Sequence, residues 1–153
     1  MPWLSESTTE FDLPAGTSVT VSVTMDSSVV PQPGAYTGKL AISTDTPYSV
    51  PAVGASMQVN PPTTWGKITG AVTAAVGGVP ITGATVQIGT FSGTGQVTFT
   101  LKTDNTGHYQ LWLDARYSPL QIIAAKDGFQ PQVKTVKITK GTTTTTNFVL
   151  KKS

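Results

Sequence analysis

Within Thr17 to Met25 polar and apolar residues alternate from Ser18 onward, which places Val19, Val21, Val23 and Met25 on one side. A period of two is that of a β-strand with one buried face. The turn Leu13-Pro14-Ala15-Gly16 precedes it and Pro31-Gln32-Pro33-Gly34 follows, with Pro fixing φ and Gly permitting a positive one. A second strand is predicted over residues 35–43, with Tyr36, Leu40 and Ile42 inward, and another over 52–59. Beyond Trp65 the same alternation recurs in short bursts at 85–88, 98–103, 108–113, 120–125, 133–139 and 145–150, separated by Gly, Asn or Asp turns. With the opening stretch 65–72 this makes about seven strands, the pattern of a β-sandwich. No segment carries helical periodicity.

Composition agrees with strands. Thr occurs 27 times and Val 16 times, so β-branched residues outweigh helix formers. No apolar run reaches the roughly 18 residues that a membrane-spanning helix needs. The absence of cysteine excludes disulfides, thiolate metal sites and cysteine nucleophiles, and the single histidine, His108, makes a histidine-ligated metal centre a poor expectation. No metal or other cofactor is expected.

Charge marks a seam. Residues 1–60 hold five acids against Lys39, and residues 61–153 hold nine bases against Asp104, Asp114 and Asp127. The change of sign falls at Pro61-Pro62-Thr63-Thr64, which cannot lie inside a central strand. The expected organisation is a unit at 1–60, a Pro-rich linker at 61–64 and a second unit at 65–153. The bases are dispersed and no aromatic–arginine platform accompanies them, so nucleic acid is not an expected partner.

Two resemblances follow from particular residues. In the first unit, Trp3-Leu4-Ser5, Leu13-Pro14-Ala15-Gly16-Thr17 and Pro33-Gly34-Ala35-Tyr36-Thr37-Gly38 resemble the later part of a bacterial immunoglobulin-like accessory domain. That family pattern has further strands ahead of the Trp-Leu-Ser segment, so a sheet lacking them should expose part of its core. In the second unit, Gly66-Lys67-Ile68-Thr69-Gly70, Ile81-Thr82-Gly83-Ala84-Thr85-Val86, Thr103-Asp104-Asn105-Thr106-Gly107-His108-Tyr109, Ala124-Ala125-Lys126-Asp127-Gly128-Phe129 and Asn147-Phe148-Val149-Leu150 resemble the carboxypeptidase regulatory-like family. That resemblance implies a seven-stranded transthyretin-like sandwich and a non-catalytic module attached to secreted or surface enzymes. The expected fold class is therefore all-β, two sandwich units, the first partly immunoglobulin-like.

Catalytic chemistry finds no support. Gly54-Ala55-Ser56-Met57 echoes a subtilisin nucleophile segment, but Ser56 falls in a predicted strand and the one histidine comes later, in the other unit. His108 reads as a solvent-facing strand residue opposite an inward Tyr109. Asp104 and Asp127 stand in Gly-containing turns, where a carboxylate caps backbone amides, and neither has the several neighbouring carboxylates of a calcium loop.

Binding chemistry has three aromatic candidates. Trp112, between Leu111 and Leu113, faces outward by alternation; Tyr117 lies in the following loop and Phe91 at a hairpin tip. Such rings stack on sugars or grip an extended peptide. The competing and preferred reading has Trp112 pack on Trp65 and the linker. A last candidate is a spontaneous isopeptide bond between Lys67 and Asn147 with Asp114 as the assisting acid, by analogy with surface-adhesin sandwiches. It needs a buried neutral lysine, whereas inward Ile68 and Phe148 turn Lys67 and Asn147 outward.

The expected role is that of a non-catalytic C-terminal accessory region of a secreted bacterial enzyme, with a subtilisin-like serine protease as the expected parent. It would act outside the cell or at its surface as spacer, stabiliser or docking module. Its expected partners are the parent catalytic domain and a polysaccharide or extended protein. The alternative is a carbohydrate- or protein-binding module of an adhesin-like protein. Oligomeric state and ligand are not legible.

Overall fold

The computed structural model describes residues 1–90 and 97–153, and the chain divides into two compact units, Met1–Pro61 and Pro62–Ser153. The first unit has two separate antiparallel pairs. Strand β1 (Leu4–Glu6) pairs with β2 (Val23–Met25), and β3 (Gly34–Leu40) pairs with β4 (Val53–Val59). Its buried apolar residues are Trp3, Leu4 and Ala55, with Val30, Tyr36, Leu40 and Met57 partly covered against them. The Trp3 and Tyr36 rings meet tilted at 60° with centroids 6.2 Å apart, and the Tyr36 hydroxyl donates to the Gln32 carbonyl at 2.5 Å.

Here the alternating segment departs from its expectation. Only Val23–Met25 is strand, and Val19, Val23 and Met25 are exposed instead of forming an inner face. Ile42 also lies outside β3 and is exposed. Alternation defines a face, but a face is buried only when a second layer packs on it. With three buried side chains this unit supplies little of one.

The second unit is a complete sandwich. Strands β5 (Trp65–Ala74), β6 (Thr85–Gly89), β7 (Thr98–Lys102), β8 (His108–Asp114), β9 (Leu120–Ala125) and β10 (Gln132–Val136) are followed by β11 (Thr143–Thr145) and β12 (Phe148–Leu150). One sheet has the order β10-β9-β6-β7, and the other centres on β5, flanked by β8 on one edge and by β11 and β12 on the opposite one. Because β11 and β12 pair in parallel with successive stretches of β5, they act as one strand interrupted at Thr146 and Asn147. Counted so, the described residues of the sandwich form seven strands.

Each inner face shows the period of two. In β5 Ile68 and Val72 are fully buried between half-exposed Lys67, Thr69, Ala71 and Thr73, and in β8 Tyr109, Leu111 and Leu113 point inward. They meet Val86, Ile88, Leu120, Ile122 and Ala124 of the other sheet, with Phe148 and Leu150 alongside. Full burial of each large apolar side chain contributes about 1.5–3 kcal/mol. Two polar devices close the rim. The Thr103 hydroxyl donates to the Ile81 carbonyl at 2.6 Å and accepts from the Ala84 amide at 2.8 Å. The Tyr109 hydroxyl donates to the Thr146 carbonyl at 2.5 Å, where that carbonyl crosses Gly70.

Candidate functional site

The outer face of the β5 sheet is built from rungs. Trp65 of β5 stands opposite Asp114 of β8; Lys67 opposite Trp112; Thr69 opposite Gln110; Ala71 opposite His108. On the other flank Thr143 and Thr145 pair with Lys67 and Thr69. Same-face rungs repeat every two residues, about 6.7 Å along the strand. The face thus presents two indoles, one ammonium and a row of hydroxyl and amide groups on a rigid, hydrogen-bonded support.

Lys67 and Trp112 are the centre of that face. The Lys67 ammonium lies 5.9 Å from the Trp112 ring centroid, within reach of a cation–π attraction. Trp65 sits diagonal to Trp112, a relation that places side chains about 7–8 Å apart. At the Trp65 end, Asp114 accepts from the Arg116 amide at 3.0 Å and from the Thr64 hydroxyl at 3.2 Å, and pairs with the Arg116 guanidinium at 3.5 Å. This is the one ion pair among the described residues, and it leaves Lys67 without a carboxylate partner there.

At the other end the face adjoins a polar groove of about 420 Å³ lined by Thr69, Lys102, Asp104, His108 and Gln110 together with Leu101 and Tyr109. Asp104 shapes the turn that walls it: one carboxylate oxygen accepts from the amides of Thr106 and His108 at 2.8 and 2.9 Å and from the Thr106 hydroxyl at 2.7 Å. These bonds, led by the Thr106 hydroxyl, favour the ionised form and lower its pKa. Burial pushes the Tyr109 phenol well above its ordinary value.

The other sequence candidates are dispersed. Tyr117 is partly buried against the core, with the Arg116 guanidinium 5.4 Å from its ring centroid, so it does not join Trp112 on the outer face. Phe91 lies outside the described residues. Asn147 is exposed, but its side-chain oxygen accepts from the Ala71 amide at 2.9 Å, four residues along β5 from Lys67, or roughly 13 Å. Asp114, occupied with Arg116 and Thr64, stands opposite Trp65. The structure therefore does not bring Lys67, Asn147 and Asp114 together. Ser56 is an exposed residue of β4 paired with Thr37, and His108 and Asp127 are exposed. Among the described residues no cluster of three or more His, Asp or Glu could hold a metal ion.

Thr69 and Gln110 are the members of the face that sequence reasoning did not single out, and Trp65 was named there only as a packing partner of Trp112. The signal was there in the alternation of 65–73, which puts Trp65, Lys67 and Thr69 on one side. Pairing that side with the even-numbered residues of β8 required the register.

Comparison with known proteins places the second unit. No curated protein matches the chain. Solved structures similar to it include 3-chlorocatechol 1,2-dioxygenase from Rhodococcus opacus 1CP (13% identity, TM-score 0.47, 61% of this chain and 62% of that one). The Bacillus anthracis TIE protein matches at 17% identity and TM-score 0.48, over 78% of this chain and 25% of that one. GBS52, the minor pilin of Streptococcus agalactiae, matches at 17% identity and TM-score 0.44, over 86% of this chain and 64% of that one. The chain spans less than two thirds of each of these three solved chains. Residues 67–151, more than half of the chain and nearly all of the seven-stranded sandwich, match the carboxypeptidase regulatory-like domain, and the chain belongs to that family.

Proposed function

We propose that this chain is a non-catalytic accessory region of a secreted bacterial enzyme, with a subtilisin-like serine protease as parent, and that it docks the parent on a polymeric substrate or surface outside the cell. The observation that carries the docking role is the outer face of the β5 sheet, where Trp65, Lys67, Trp112, Thr69 and Gln110 stand on adjoining rungs. A rigid sheet presenting indoles beside hydroxyl and amide groups suits a repeating, extended ligand, because the contacts need little side-chain ordering. The family to which residues 67–151 belong supports the accessory role; the protease parent rests on the first unit's resemblance to immunoglobulin-like accessory domains, which in secreted enzymes, subtilisin-like proteases among them, often follow the catalytic domain.

Retention of the whole chain on insoluble polysaccharides and on collagen-like or keratin-like protein tests the docking role. Trp112→Ala, with melting temperature maintained, should abolish retention. No retention on any polymer would leave a spacer. The parent is tested by sequencing the native gene upstream of the codon for Pro2. A catalytic domain with Asp, His and Ser in subtilisin order is expected, and further sandwich repeats without one would overturn the protease assignment.

A further inference from the structure

Resting on the docking role, we infer that the ligand of this face is an acidic polysaccharide, a polyuronate whose rings stack on Trp112 and Trp65 and whose carboxylate pairs with Lys67. Three observations carry the inference. First, Lys67 sits at the centre of the face, opposite Trp112 and flanked by Thr143, with its ammonium held 5.9 Å from the indole centroid and no carboxylate partner among the described residues. An ammonium held over an indole still has N–H donors for an anion.

Second, the balance of charge in this unit is positive, and the two acids near the face are engaged, Asp114 with Arg116 and Asp104 in capping its own turn. Residues 61–153 carry nine bases against three acids, and the acid of this face, Asp114, is already occupied by Arg116 and Thr64. The turn 139–142, which carries Lys140, is tied to the Trp65 end through the Gly141 amide bonding to the Trp65 carbonyl at 2.7 Å. An anionic polymer arriving here meets Lys67 on the face and Lys102 in the adjoining groove. That is charge complementarity, which raises the encounter rate and selects against other polymers.

Third, the rung beyond Lys67–Trp112 is Thr69–Gln110 with Thr145, and it opens into the polar groove with Lys102, Asp104 and His108. A ring stacked on Trp112 would set its hydroxyls against Thr69, Gln110 and Thr145. The apolar faces, hydroxyls and carboxylate of a uronate each find a counterpart within two rungs. A neutral sugar would leave Lys67 unused, and a peptide would leave the indoles without regularly repeated rings to stack on.

The test is titration of the whole chain with polygalacturonate, dextran, heparin and gelatin, read by calorimetry at 50 and 300 mM NaCl. Polygalacturonate should bind at least tenfold more tightly than dextran, and should weaken several-fold at the higher salt. Lys67→Gln should lose about tenfold in affinity for polygalacturonate and most of the salt dependence, while Lys67→Arg retains binding. Trp112→Ala should lose binding to every saccharide. Unchanged affinity in Lys67→Gln with an unchanged melting temperature would overturn the inference, as would tighter binding of heparin than of polygalacturonate. Binding of dextran or gelatin in preference would overturn the uronate ligand and leave the docking role standing. Binding of none of the four, together with no retention on the insoluble polymers, would overturn both.

Discussion

Gly70 lies where two strands approach most closely, and replacing it by alanine separates two opposed effects. Its φ is not positive, so alanine is compatible with the backbone and would by itself add about 0.5–1 kcal/mol of stability over glycine in a strand interior. Against this, an added Cβ would overlap the Thr146 carbonyl and come within 2.8 Å of the Tyr109 hydroxyl. Both obstacles are fixed: the Thr146 amide donates to the Thr69 carbonyl at 2.8 Å and the Thr146 carbonyl accepts from buried Tyr109. Relief requires β11 and β12 to move off β5. Overpacking of this kind costs about 1–3 kcal/mol, and disturbing two hydrogen bonds adds about 1 kcal/mol each. The clash wins, with a net loss of about 3 kcal/mol. For a unit of this size that corresponds to a drop of roughly 12–24 °C in melting temperature. Differential scanning calorimetry of wild type and Gly70→Ala measures it. An unchanged or raised melting temperature would refute the close crossing of Thr146 over Gly70.

Other expectations follow from the same geometry. Tyr109→Phe leaves the Thr146 carbonyl without its phenolic donor and should cost about 1–2 kcal/mol by urea denaturation. Because burial raises the Tyr109 pKa, one of the four tyrosines should resist ionisation above pH 10 in a spectrophotometric titration of the folded protein. Asp104 has a pKa depressed below 3.8, led by its bond from the Thr106 hydroxyl, so its stabilising contribution is complete above that value and is lost as pH falls through the lower, folded-state value. Asp104→Asn should therefore flatten the acid limb of a melting-temperature profile. Intact mass should equal that of the sequence with no loss of ammonia, since Asn147 bonds to Ala71 and not to Lys67.

How far the sequence could be read depended on whether a second layer was present. In the second unit, alternation placed Ile68, Tyr109, Leu111, Leu113 and Phe148 inward, and they are buried because a facing sheet covers them. In the first unit the equally regular Val19, Val23 and Met25 are exposed and Val21 is only half-buried, and most of that segment is not strand. Periodicity reports a side, while burial depends on what packs there. The site follows the same division. Outward Lys67 and Trp112 were legible singly, but their pairing came from the β5–β8 register. Asn147 was legible as outward, yet its bond to Ala71 arises from the interruption between β11 and β12, for which the run of threonines gives no local signal.

Docking on the outer face of the β5 sheet has a direct spectroscopic consequence. Nuclear magnetic resonance of the isotope-labelled whole chain, titrated with oligogalacturonate, tests it most directly. Shifts are expected at Lys67, Thr69, Gln110, Trp112, Thr145 and the Trp65 indole. Shifts centred instead on the apolar groove of Val76, Val79, Pro80 and Phe129, or within residues 1–61, would contradict it.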